Sequence, residues 1–92
     1  LRKNNIKYYI MPYIKKEIRE VFENVVLPGT ATSGELNYLI TKICQHYITD
    51  RGLSYQTLND IVGVLESSKL EFYRRLVSKY EDTKIEENGD VY

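Results

Sequence analysis

Cys44 and His46 are the one cysteine and the one histidine of the 92 residues, and they are the nearest thing in the chain to a metal-ligand pair. A metal site needs side chains that converge. Residues two apart on a helix point about 200° away from each other, and no second cluster supplies further ligands. Cys44 reads instead as a small apolar packing residue. Nucleophilic catalysis lacks its parts as well, because no glycine-rich turn presents a serine or cysteine to His46. The adjacent carboxylates Glu81-Asp82 and Glu86-Glu87 lie in a polar C-terminal stretch, where solvent surrounds both members of each pair. No glycine loop of phosphate-binding spacing occurs. We therefore expect no catalytic residues, no metal, no cofactor and no enzymatic activity.

The remaining candidates are charged and aromatic. Lysine plus arginine equals aspartate plus glutamate, 13 against 13, so no net field draws in nucleic acid or an anionic surface. The distribution is uneven: residues 1–80 carry 12 basic and 8 acidic side chains, whereas residues 81–92 carry five acids and only Lys84. A lone cysteine forms no intrachain disulfide, which favours a reducing, cytoplasmic compartment. No run approaches the roughly 18 apolar residues of a membrane span, and no membrane partner is expected.

The element that must position these residues is the stretch from Ser54 to Tyr80. Leu58, Ile61, Val62, Leu65, Phe72, Tyr73, Leu76 and Tyr80 recur there at spacings of three and four, along one side of a helix. Ser54 is a good cap, with Leu53 before it as a staple residue. Gly63 and Ser67-Ser68 are the weak points, whereas Leu65, Glu66 and the Glu71–Arg75 pair support continuity. We expect one continuous helix of roughly 26 residues and about 39 Å. Gly63 and Ser67, one turn apart, let another helix approach closely, either the chain's own second helix or a second copy.

Two shorter helices precede it. Pro12 suits a first turn, and Ile14, Ile18, Val21, Phe22, Val25 and Val26 follow at helical spacing until Pro28-Gly29. Residues 28–34 form a loop. Thr32-Ser33-Gly34-Glu35 fits a capping box, and a second helix from about Ser33 to Arg51 buries Leu36, Leu39, Ile40, Ile43 and Tyr47 before Gly52 stops it. Residues 1–10 show no period and form a leader, with Ile6, Tyr8, Tyr9 and Ile10 available to lie against the body. Met11, followed by a helix opening, is one expected native start; the other readings are that Leu1 marks an alternative start or an over-long reading frame.

The segment Thr57–Leu76 superficially resembles the DNA-binding helix-turn-helix of tetracycline-repressor-type regulators. It shares the opening threonine, the Asp60-Ile61 pair, a Ser68-Lys69 start and an aromatic-Tyr-Arg end. The resemblance implies Ser68, Lys69, Tyr73, Arg74 and Arg75 as groove or phosphate contacts. The chain departs from it at Glu66, where the tight turn requires glycine. Nucleic-acid binding is therefore the alternative and not the favoured reading.

In the acidic tail, Asn88-Gly89 is a strong two-residue hairpin signal, although its flanks are too short to hold a sheet alone. Ile85, Val91 and Tyr92 are the anchors if this tail folds back onto Arg74, Arg75 and Lys79 or onto a neighbouring subunit. The motifs M-P-Y-I-K (11–15), G-E-L-N-Y-L-I-T-K (34–42), V-L-E-S-S-K-L-E-F-Y-R-R (64–75) and Y-E-D-T-K-I-E-E-N-G-D-V-Y (80–92) are similar to those of a family of small proteins of bacteria and phages, a domain of unknown function. The resemblance covers most of the chain after residue 10 and implies a functional tail, with no activity attached.

The expectation is an all-α protein: a leader (1–10), a three-helix domain (11–80) whose last helix is longest, and an irregular acidic tail (81–92). A domain of this size buries only about 60–65% of the surface its unfolded chain exposes. Nine tyrosines add amphipathic area that favours interfaces. The leading functional expectation is a non-catalytic, homo-oligomeric interaction module. Its self-association candidates are Leu58, Val62, Gly63, Leu65, Ser67, Phe72, Tyr73 and Leu76.

Overall fold

The computed structural model describes residues 12–24 and 31–92. The leader and its Ile6, Tyr8, Tyr9 and Ile10 contacts lie outside the described residues, as does the end of the first helix at Val25 and Val26. The protein is all-α, and no strand occurs among the described residues. The first helix, α1 (Lys16–Arg19), passes into a 3₁₀ turn at Glu20–Phe22. The second, α2, spans Ser33–Arg51. The third, α3, runs as α-helix over Tyr55–Phe72, widens into a π segment at Tyr73–Val77 and resumes over Ser78–Asn88. It is a rod of 34 residues, about 50 Å long at 1.5 Å per residue.

Both long helices start and stop where local chemistry dictates. The Thr32 hydroxyl accepts from the Glu35 amide at 3.2 Å, and the Glu35 carboxylate accepts from the Thr32 amide at 2.9 Å. That reciprocal pair satisfies two of the orphan donors at the start of α2. It also holds the Glu35 carboxyl below its usual range, first through the Thr32 backbone N–H and then through the Thr32 hydroxyl. Gly52 ends α2 at φ 88°, with its N–H on the Ile48 carbonyl at 2.7 Å. A side chain there would be strained, so glycine is required. Two residues later Ser54 caps α3 by accepting from the Thr57 amide at 3.1 Å. Leu53 is exposed and makes no staple.

Two boundaries differ from expectation. Residues 13–15 lie outside any helix, with Lys15 at ψ 144°, so α1 starts at Lys16 and not at Pro12. Its β-branched Ile14, Ile18 and Val21 are weak helix formers, and all three are exposed, so little packing offsets their low propensity. At the other end, α3 does not stop at Tyr80. It continues to Asn88, where Gly89 at φ 87° donates its N–H to the Ile85 carbonyl at 2.8 Å. The Asn88-Gly89 pair therefore terminates a helix and makes no hairpin; only residues 89–92 of the expected tail are irregular.

α2 and α3 form a helical hairpin across the Gly52–Ser54 turn. Near the turn, the Tyr47 hydroxyl donates to Asp60 at 3.2 Å, Gln56 donates to the same carboxylate at 2.7 Å, and the Arg51 guanidinium lies 4.7 Å from the Tyr47 ring centre. Thr57, 5% exposed, is the only buried residue among those described, and its hydroxyl accepts from Ser54 at 3.0 Å. Above this clasp the helices leave an open apolar groove of about 250 Å³ between Ile40, Ile43, Cys44 and Tyr47 of α2 and Ile61, Val64 and Leu65 of α3. Cys44 is half-buried there. No apolar side chain among the described residues is buried.

Candidate self-association surface

α3 has two contrasting sides. The partly covered line follows Asp60, Gly63, Ser67 and Glu71, spaced by three or four residues and therefore stacked on one face. Away from that line Leu58, Val62 and Phe72 are exposed, as are Leu76 and Tyr80 within and beyond the widened segment. Val62 is 66% exposed, Phe72 60%, Leu76 58% and Tyr80 63%. The single chain thus sets Ile61, Val64 and Leu65 of its longest helix toward α2 and leaves Leu58, Val62, Phe72, Leu76 and Tyr80 in water. Gly63 and Ser67 are already half-buried within the chain, whereas the six large apolar candidates of the expected set are exposed, Leu65 at the edge of the α2 groove and Tyr73 bonded to Glu81.

Glu71 anchors the segment ahead of α1. The Tyr13 hydroxyl donates to its Oε1, the Arg75 Nε donates to the same atom at 3.0 Å, and Arg74 reaches it at 2.8 Å. Arg75 also donates to the Tyr13 oxygen at 3.2 Å. The Tyr13 hydroxyl, followed by Arg75, lowers the Glu71 pKa to about 2. Tyr13, followed by Glu71, holds Arg75 above its ordinary value. Periodicity gives no sign of this contact, since 58 residues separate Tyr13 from Glu71.

The π segment begins just beyond that knot. Tyr73 lies along the rod and donates its hydroxyl to Glu81, eight residues on, at 2.6 Å. The accepting carboxylate raises the phenol pKa. A π turn carries more residues than an α turn and shifts everything after it around the axis, and at its end Val77 and Ser78 are half-buried while residues 79–92 are exposed. Among the described residues, Ser78–Asn88 packs on no other helix. Tyr73, Ile85 and the chain end border an open hollow there, but Val91 and Tyr92 are themselves fully solvated. Arg74 and Arg75 bond Glu71, so they do not serve as the expected receptor of the tail.

The helix-turn-helix geometry is not formed. Tyr55–Phe72 is one uninterrupted α-helix through Glu66, and without a corner no second helix is turned toward a groove. Of the residues that likeness implied, Lys69 pairs with Glu66 at 3.2 Å, Arg74 and Arg75 with Glu71, and Tyr73 with Glu81. Ser68 is exposed. Glu66 thus serves as a helix residue and as a counter-charge.

Residues 11–91 match the family model described as Domain of unknown function (DUF6899). The chain belongs to this family. No curated protein and no solved structure matches it. The family match spans all three helices and the acidic end of α3, which ties the exposed stripe and the C-terminal segment into one family domain. No helix among the described residues is long and apolar enough to cross a membrane.

Proposed function

We propose that this protein is a non-catalytic helical module that completes its core by self-association. The observation that carries the reading is the absence of any buried apolar side chain among the described residues, beside a set of large exposed apolar side chains along α3. Hydrophobic burial is the main favourable contribution to folding, and large exposed apolar patches mark interaction sites. The accessible surface, 8790 Å², exceeds the roughly 5,500 Å² of a compact chain of this mass. The Cα radius of gyration, 16.8 Å, likewise exceeds the about 12 Å of a compact chain of this length. Such surplus is what a partner would cover. Nothing favours nucleic acid as that partner, because the cations nominated for it are paired with carboxylates along their own helix.

Light scattering behind a sizing column, at tens of micromolar, tests the reading. The expected result is a mass of at least two copies of the 10.8 kDa chain. A monomer at that concentration overturns it.

A further inference from the structure

Resting on that reading, we infer that two copies exchange their first helices, residues 16–22 of each seated in the open α2–α3 groove of the other. The groove sets the chemistry of its occupant. Its walls are Ile40, Ile43 and Cys44 of α2 and Ile61, Val64 and Leu65 of α3. Its volume of about 250 Å³ falls short of the roughly 300–1,000 Å³ of small-molecule sites. Tyr47 and Asp60 supply its side-chain oxygens, and they bond each other at 3.2 Å, with Gln56 on the same carboxylate at 2.7 Å. Both are engaged within the chain. What remains is an apolar slot of the kind that takes one face of an amphipathic helix.

The chain carries such a helix and leaves it unpacked. Ile18, Val21 and Phe22 are spaced by three and four residues, on one side, and are 49%, 75% and 58% exposed. Among the described residues α1 packs on neither α2 nor α3, and an isolated helix this short is marginal in water. Its segment is hydrogen-bonded to the rest of the described chain through Tyr13, whose hydroxyl is held by Glu71 and Arg75. Glu71 follows Leu65 by six residues, about 9 Å farther along α3 from the Gly52 turn. The tether therefore holds the arm beside its own groove and not in it. Each chain brings one unpacked arm and one open groove. A two-fold exchange satisfies both arms and both grooves and then closes, whereas a foreign helix in the groove would leave the arm in water. The surplus surface of roughly 3,000 Å² covers the about 800 Å² that a standard interface takes from each partner.

Cys44 is a built-in probe, since it lines the groove and is the chain's one cysteine. Ile18→Cys and Val21→Cys, made singly in the full chain, are oxidised in a glutathione buffer as equal mixtures of isotope-labelled and unlabelled protein. A disulfide forms only where the two Cα atoms come within about 7 Å. The expected result is a bond to Cys44 in at least one variant, in hybrid peptides that join a labelled arm to an unlabelled groove. Lys16→Cys, two residues before Ile18 and pointing away from that side, should link far less; equal linkage contradicts the seated face. Bonds to Cys44 within single chains alone identify the chain's own arm as the occupant and overturn the exchange. So does the lack of any bond to Cys44 in both variants while the unaltered chain has a dimer's mass. A monomeric mass for the unaltered chain overturns the reading underneath. Ile18→Asp with Val21→Asp adds a test free of oxidation. The dissociation constant should rise about tenfold or more with the hairpin's amide protection kept, and an unchanged constant contradicts the exchange.

Discussion

The clasped hairpin and the distal half of α3 are built from the same kinds of residue, yet the chain treats them differently. Around the Gly52–Ser54 turn, two caps, a buried threonine and the Tyr47–Asp60–Gln56 cluster fix two helices with respect to each other. Beyond Phe72, apart from Arg75 on Tyr13, the rod continues through Ser78–Asn88 on contacts along its own surface, such as Lys84–Glu87 and Tyr73–Glu81. An isolated helix of that length is marginal in water, and exposed ion pairs add at most a few tenths of a kcal/mol each. The difference teaches where outside help is required. The hairpin supplies its own partner; the distal rod awaits one.

The largest expected effect breaks the rod and spares the hairpin. Phe72→Glu with Leu76→Glu should weaken association about a hundredfold or more, since both side chains would enter a desolvated contact. Both are more than half exposed in the single chain, so light scattering should lose the oligomer while the hairpin keeps its amide protection. The converse is Ile61→Ala, which empties part of the α2–α3 groove. Ile61 is half-buried, so a loss of about 1–2 kcal/mol in denaturant unfolding is expected, less than for a fully buried isoleucine. Smaller again is Ser54→Ala, at about 1 kcal/mol, read as faster amide exchange at the start of α3. It should exceed the effect of Ser68→Ala, which removes no capping bond.

The smallest effect concerns the tether between the two regions. The folded-state pKa of Glu71, about 2, lies below its ordinary 4.5. Its contribution is therefore complete above pH about 4.5 and disappears as pH falls through about 2. Carboxyl-carbon NMR should place the Glu71 midpoint near 2 in the native protein and move it up in Tyr13→Phe. An unmoved midpoint would show that Tyr13 is not the partner that sets it.

Legibility in the sequence followed the range of the interactions. Thr32, Glu35, Gly52 and Ser54 act within a few residues, so the limits of α2 and the start of α3 could be read directly. The continuation to Asn88 is not legible because Asn-Gly serves two purposes: a positive φ at Gly89 ends a helix as readily as it turns a hairpin. The apolar stripe was visible in its spacing, but its exposure was not, since periodicity marks a face without saying what covers it. Tyr13–Glu71 depends on chain reversal, and the π segment has no residue pattern that marks it.

Hydrogen exchange measured across a dilution series tests the central claim most directly. If a second copy covers the rod, protection of the amides from Tyr73 to Asn88 should rise with protein concentration, while protection around Thr57 and Asp60 changes far less. Protection in Tyr73–Asn88 that stays constant from below one micromolar to hundreds of micromolar would contradict the account.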